Sequence, residues 1–215
     1  MPQIKLFYIP DACSLAPHIL LHEIGADYEP IRAKLGGGFD AHFREGFTDI
    51  NPKMRVPVLS LDDQVITELP AVATAISSLA PEAHLMGKTT LDTIRVYEWM
   101  NYLSGTLHAT GFGLFFRPHR WTKLTDEVSF AGIKERALEK ILECFGFIEE
   151  RLEGVHAVGG AFTAVDTFLY ALYRSGMYTG VDMLAYTKYT ALVKEVERRP
   201  AALAALKIEQ IDPKF

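Results

Sequence analysis

The apolar pattern of the chain changes period near residue 80, and that switch constrains the fold more than any single motif. Up to Leu79 short strand-like runs alternate with short helical ones, whereas beyond Thr89 apolar residues recur only at helical spacing. Lys5–Ile9 is apolar and aromatic and is closed by Pro10, which predicts a buried strand. A helix follows from about Ser14 to Glu23, with Leu15, Ile19, Leu20 and Ile24 on one side and Gly25 as its stop. Tyr28–Ala33 is a second strand, Gly36-Gly37-Gly38 a flexible joint, and Asp40–Phe47 a short helix. Val56–Leu61 and Gln64–Thr67, split by Asp62-Asp63, form a hairpin, and a third helix runs from about Glu68 to Leu79. This order suits a small mixed sheet covered by helices.

In the second half, Leu138, Ile141, Leu142, Phe145, Ile148 and Leu152 share one helical face, as do Val165, Phe168, Leu169, Leu172, Tyr173 and Met177. Further helices are expected at 91–118, 183–198 and 201–207, with a break at Pro200. Ala80–Lys88, with Pro81 and Gly87, is the linker. The fold class is therefore α/β followed by all-α. With 215 residues, 49% of them hydrophobic, the chain can bury a sizeable core. Its net charge of −5 argues against binding to nucleic acid or to an anionic membrane. No apolar run reaches the roughly 18 residues of a membrane span. Asp11 comes too early for a secretory leader, so an intracellular chain is expected. Cys13 and Cys144 then read as free thiols.

Cys13 falls between a strand end and a helix start, in Pro10-Asp-Ala-Cys-Ser-Leu-Ala-Pro17. Helix-start amides there favour an anion and would lower the thiol pKa, yet a small buried residue is an equal reading. Ala16, three residues on, removes a dithiol motif, and Cys144 reads as core. Pro57 marks either an ordinary sheet edge, the default, or a special backbone geometry. A cis bond would present Val56's N–H and C=O to an extended peptide. Glu68 opens a helix, where amides hold a carboxylate while its own carboxylate holds an ammonium. Those are the two ends of an α-amino acid; the default reading is an acid that favours the helix dipole. His18 and His22 have metal-ligand spacing without a third ligand nearby, so no metal is expected. His108 reads first as a structural histidine, and the glycine run lacks the Lys-Ser/Thr of a phosphate loop. Thr163-Ala-Val-Asp166 is a capping box whose cap is worth about 1 kcal/mol.

Taken together, these residues resemble the cytosolic-type glutathione S-transferases, and among them the bacterial beta class most. The resemblance spans essentially the whole chain. It rests on Lys5–Ile19, on Asn51-Pro-Lys-Met-Arg-Val-Pro-Val-Leu59, on Thr67-Glu68 and on Phe162-Thr-Ala-Val-Asp-Thr-Phe-Leu169. Leu107-His108 and Phe115-Phe116-Arg117-Pro118 are similar to the helix that lines the beta-class active site. It implies a thioredoxin-like, glutathione-binding domain at 1–79, a linker at 80–88 and a helical domain at 89–215 that lines the second-substrate site. A two-fold homodimer in the cytoplasm, with glutathione as co-substrate and no metal, comes with it.

By the same resemblance Pro57 is cis and Val56 pairs with the cysteinyl backbone of glutathione. Glu68 and the Leu69 amide meet the γ-glutamyl end, and Lys34 meets the glycine carboxylate. Cys13, Ser14 and His108 approach the glutathione sulfur, and Phe112, Phe115, Phe116 and Trp121 form the apolar wall. Two departures stand out. Leu69 and Pro70 replace the family's hydroxyl residue, a hydrogen bond to a charged group worth roughly 1.5–3 kcal/mol. Thr106 and Ala109 replace the polar or charged residues that often flank the histidine. The implied function is attack of a glutathione thiolate on a small hydrophobic electrophile, as in detoxification. The alternatives are a Cys13-dependent thiol transferase or deglutathionylase, and a non-catalytic binding module on the same fold.

Overall fold

In the computed structural model, which describes residues 2–35, 41–42 and 45–215, β1 (Ile4–Tyr8) lies inside a four-stranded sheet. It pairs in parallel with β2 (Glu29–Arg32) and antiparallel with β5 (Val58–Leu61), which pairs with β6 (Gln64–Thr67), giving the order β2-β1-β5-β6. The two-residue period of a strand splits the central side chains between two faces. Leu6, Tyr8 and Leu59 join the main core with α1 (Leu15–Glu23). Phe7 and Val58 turn the other way onto Phe47 at the start of α2 (Phe47–Ile50). The hairpin expected around Asp62-Asp63 is present, with Asp62 at φ 51°.

Within residues 1–79 one element differs from expectation. Ala41–His42 is a short strand, β4, paired with β3 (Lys34–Leu35), and the helix begins only at Phe47 after Gly46 at φ 78°. That left-handed glycine ends the turn and sets the helix start later than the apolar pattern suggested. The Gly36-Gly37-Gly38 joint lies outside the described residues.

α3 (Leu69–Leu79) and a 3₁₀ turn at Pro81–Ala83 lead to α4 (Thr90–Tyr102), capped at its start by a Thr89–Asp92 box. The same helix then widens into a π-helix over Leu103–Phe112 before α5 (Gly113–Phe116). Gly111 permits this wide segment to pack closely, since a Cβ there would meet Ile141 Cγ1 at 2.9 Å. After α6 (Glu127–Arg151), α7 (Ala164–Met177) runs through the centre with Val165, Phe168, Leu169, Leu172 and Tyr173 buried. α8 (Thr187–Glu197) and α9 (Pro200–Glu209) complete the helical part. Pro200 begins α9, a position where its missing N–H costs nothing. Leu142 and Met177, expected on buried faces, are 42% and 43% exposed because each sits at the edge of its stripe. α1 packs against both α7 and α9, so one hydrophobic core spans the sheet and the helices. Among the described residues no helix is long and apolar enough to cross a membrane.

Candidate active site

A cavity of about 850 Å³ opens between the β1–α1 turn, the loop before β5 and the wall formed by the π-helix, α5 and the turn after it. The β1–α1 turn is fixed by Ser14, whose hydroxyl accepts the Ile9 N–H and donates to the Ile9 carbonyl, both at 3.0 Å. Ser14 is therefore fully buried and turned back into the turn, which corrects its expected place beside a reacting sulfur. Cys13, next to it, does line the cavity, and its Sγ donates to the Val56 carbonyl at 3.5 Å. Burial pushes the Cys13 thiol up to about 12, against the opposing pull of Arg117, of the Cys13 and Ser14 amides and of Arg55. The lowered pKa expected from the helix start is thus overturned, because desolvation penalises the thiolate more than amides and cations favour it.

The loop carrying Val56 is shaped by Asn51, itself buried. Its Nδ2 donates to the Arg55 carbonyl at 2.8 Å and its Oδ1 accepts the Lys53 N–H at 3.2 Å. Met54 sits at φ 52°, and the Val56–Pro57 bond is cis, the special geometry and not the ordinary edge proline. Met54, Arg55 and Val56 all face the cavity.

Across from them, His108, Ala109, Phe112, Gly113, Phe116 and Arg117 make a four-residue repeat along one wall. In a regular α-helix a four-residue step drifts about 40° around the axis. The wider π turn absorbs that drift and keeps the stripe facing inward, a common use of such segments at functional sites. Burial, reinforced by Arg117 and Arg55, holds the His108 imidazole down at about 4. A folded-state pKa below the unfolded one means that protonation favours unfolding. Stability from this group is complete above about pH 6.5 and is lost as pH falls toward the folded value. The His108 ring resonances in NMR are expected to stay flat between about pH 8 and 5.5; an inflection near 6.5 would contradict this placement.

Phe112 and Phe116 stack at 5.7 Å, with half-exposed Trp121 at the rim. Phe115, expected in the same wall, meets Phe116 edge-on at 5.2 Å and packs on the core, away from the cavity lining. Glu68 and Leu69 also lie off that lining. Glu68 holds φ 68° at the start of α3, a strained value for a residue with a side chain, and its exposed carboxylate pairs with Lys53 Nζ. The Leu69 side chain is buried in the core. Pro57 is buried behind Val56, and the side chain of Lys34, in β3, lies outside the described residues. His18 Nδ1 and Glu209 share a 2.8 Å hydrogen bond, and His22 Nε2 shares one of 2.9 Å with the Tyr28 hydroxyl. Among the described residues no group of three ligating side chains is placed to hold a metal.

Sequence reasoning missed several lining residues. Asp11, at φ 56°, takes Arg174 Nε on Oδ1 at 2.5 Å and the Tyr178 hydroxyl on Oδ2, while its N–H donates to Glu209 at 2.9 Å. Burial and that hydrogen bond to Asp11 push the Tyr178 phenol up to about 12. Arg117 precedes and Arg120 ends a 3₁₀ turn at Pro118–Arg120, and both line the cavity. The Arg-Pro-His-Arg spacing was the available signal for this pair.

Known proteins share this architecture. Residues 2–74 match the family described as "Glutathione S-transferase, N-terminal domain". Glutathione S-transferase GstA of Escherichia coli O157:H7 is 30% identical over 214 residues, covering 96% of this chain and 98% of that one. A bacterial beta class glutathione S-transferase from Sphingomonas chungbukensis superposes with a TM-score of 0.82 at 30% identity, covering 97% of this chain and 100% of its own. A glutathione transferase homologue from Sulfitobacter, solved with bound glutathione, gives a TM-score of 0.88 at 27% identity, covering 99% of this chain and 100% of its own.

Proposed function

The chain belongs to the glutathione S-transferase family, and from that premise we propose that it joins the glutathione sulfur to an electrophilic carbon held in the cavity. The observation that carries this reading is the open hollow of about 850 Å³ onto which Cys13, Val56, His108 and Arg117 converge. In this reading residues 1–79 bind glutathione, and the helical part from residue 89 supplies the second-substrate wall. Val56 meets the tripeptide backbone, with Glu68 and the Leu69 amide at its γ-glutamyl end and Lys34 at its glycine carboxylate.

The thiolate is the nucleophile, so the site must favour a sulfur anion. Arg117 and Arg55 supply positive potential there, the same field that opposes the rise in the Cys13 pKa and adds to the fall in that of His108. His108, neutral at pH 7, is a weak base and a competent N–H donor to the sulfur. The protonated Cys13 thiol, whose one S–H is on the Val56 carbonyl in the ligand-free fold, turns to the sulfur to donate a second, weaker hydrogen bond. The glutathione proton passes to solvent, the C–S bond forms and the leaving group departs with its electron pair. Phe112, Phe116 and Trp121 hold the electrophile. A homodimer is supported by Leu91, Ile94 and Tyr97, which leave apolar area exposed on α4.

The Cys13-nucleophile alternative needs a thiolate at Cys13, and a thiol held near 12 disfavours it at neutral pH. Cys13→Ala is expected to lower kcat/KM for conjugation about ten-fold, the low end of what one hydrogen bond to a charged acceptor is worth. Steady-state assays of conjugation and of disulfide reduction with glutathione, on the same preparation, check this. Loss of conjugation by more than about a hundredfold would transfer the chemistry to Cys13 itself.

A further inference from the structure

An α-amino acid head needs an acceptor for its ammonium and a donor for its carboxylate, and the start of α3 is poor in donors. The Leu69 side chain is buried in the core, and Pro70 has no N–H. An ion pair made across two segments stands there. Lys53 Nζ, from the loop before β5, pairs with the Glu68 carboxylate and donates to the Thr67 hydroxyl at 2.7 Å. An ammonium has three N–H donors, so one is left over on a side chain that is 47% exposed. The loop fixes where Lys53 starts. Buried Asn51 accepts the Lys53 N–H at 3.2 Å and donates to the Arg55 carbonyl at 2.8 Å. Val58 pairs with Thr67 in the β5–β6 hairpin, which brings Glu68 to the same end of the sheet as Pro57 and Val56. The Lys53–Glu68 pair therefore sits at the sheet end where Val56 meets the tripeptide backbone in the reading above.

We propose that Lys53 binds the γ-glutamyl carboxylate of glutathione while Glu68 takes the ammonium, so that the ion pair as a whole recognises the zwitterionic end of the tripeptide. The inference rests on the glutathione-binding reading above and adds a specificity-determining residue to it. Lys53 supplies the charge-assisted hydrogen bond for which Leu69 has no side-chain group. Two charges on the protein and two on the ligand then alternate in sign, and a reversed ligand would set like charges together. An exposed ion pair contributes little to folding stability, so it opens to admit the ligand at small cost. Lys53 and Glu68 both lie off the lining of the cavity that holds Cys13 and His108. The effect of Lys53 therefore falls on glutathione binding and not on the C–S step.

The test is calorimetric titration of the full-length chain, of K53M and of E68Q with glutathione and two analogues. 4-Aminobutanoyl-cysteinylglycine keeps the ammonium and lacks the carboxylate, and glutaryl-cysteinylglycine does the reverse. K53M should weaken glutathione and the glutaryl analogue about ten-fold or more, the worth of one hydrogen bond to a charged group. It should leave the aminobutanoyl analogue unchanged or tighter, since Glu68 is then free for the ammonium. E68Q should show the opposite pattern, weakening glutathione and the aminobutanoyl analogue and sparing the glutaryl one. K53R keeps the cation and should recover most of the affinity for glutathione. In steady-state conjugation K53M should raise KM for glutathione at unchanged kcat, the mark of lost uniform binding. If K53M weakens all three ligands alike, Lys53 acts only through the shape of its loop and the assignment is overturned. It is overturned equally if K53M weakens none of them. If the unaltered chain gives no saturable heat with millimolar glutathione, the glutathione-binding reading itself fails and takes this inference with it.

Discussion

Replacing Arg174 with methionine is expected to cost about 3–5 kcal/mol of folding stability, the usual penalty for removing one partner of a buried charge pair. Arg174 is 1% exposed and lies on α7, behind the cavity wall. Its Nε meets Asp11 at 2.5 Å, and its Nη1 donates to the Tyr170 hydroxyl at 3.2 Å and to the Asp212 carbonyl at 3.0 Å. Glu197 lies 3.8 Å away and also accepts the Lys214 and Phe215 N–H groups, both at 2.7 Å. One guanidinium thus ties the β1–α1 turn, α7, α8 and the C-terminal residues together. Methionine fills much of the volume, so the expected loss comes from leaving Asp11 and Glu197 without their cation. Urea unfolding should show a lower midpoint at an unchanged m-value. The Asp11→Asn, Arg174→Met double variant should lose less than the sum of the two single changes, since it removes both charges together. A single-variant loss below about 1 kcal/mol would mean that the pair contributes no more than an exposed one. There is a consequence for the site as well: without Arg174, Asp11 presents an uncompensated negative charge to a cavity that must favour anions.

Asp11 and Arg174 are separated by 163 positions in sequence, and that separation explains why this part of the site was not legible beforehand. Local pattern identifies elements, and it did so for β1, α1, the β5–β6 hairpin and α7. Residues whose role is set by neighbours in sequence, such as Asn51 and Val56 in the loop before β5, were legible through their motif. Pairings made only by the fold were not. His18 and Glu209 are 191 positions apart, and nothing near His18 says that its partner is a carboxylate instead of a metal. Ser14 misled for a related reason: its place at a helix start is that of an anion-binding residue, but its hydroxyl is spent on Ile9. The sign of the Cys13 shift was also beyond sequence, because it depends on how completely the helical wall covers the turn. The spacing of Leu103–Phe112 predicts part of one regular helix, since residues four apart also share a face of a 3.6-residue helix and the pattern alone does not separate the two.

Asp166 carries the other large expected effect, and it exceeds what its motif suggests. As a helix cap alone, the Thr163–Asp166 pair is worth about 1 kcal/mol. In the folded chain, however, Asp166 is fully buried, and its two oxygens serve different elements. Oδ2 accepts the Thr163 N–H at 2.7 Å and the Thr163 hydroxyl at 3.3 Å, while Oδ1 accepts the Ala157 N–H at 2.8 Å. The carboxylate therefore anchors the segment between α6 and α7 as well as opening α7. That anchorage is reinforced by the Ala164 N–H to the Leu85 carbonyl at 2.8 Å and by Arg199 lying 3.9 Å over the Phe162 ring. Asp166→Ala strands two inward-facing backbone donors, each costing about 1–3 kcal/mol, so a loss of about 3–5 kcal/mol is expected with the cap included. Asn in the same place keeps one acceptor but turns an amide NH₂ toward the remaining N–H, so it should recover only part of the loss. Thr163→Ala leaves the carboxylate in place and should cost about 1 kcal/mol. Urea denaturation of the three variants should rank them Asp166→Ala, Asp166→Asn, Thr163→Ala from most to least damaging. Equal losses for Asp166→Ala and Thr163→Ala would reduce the residue to an ordinary cap and free the α6–α7 segment from it.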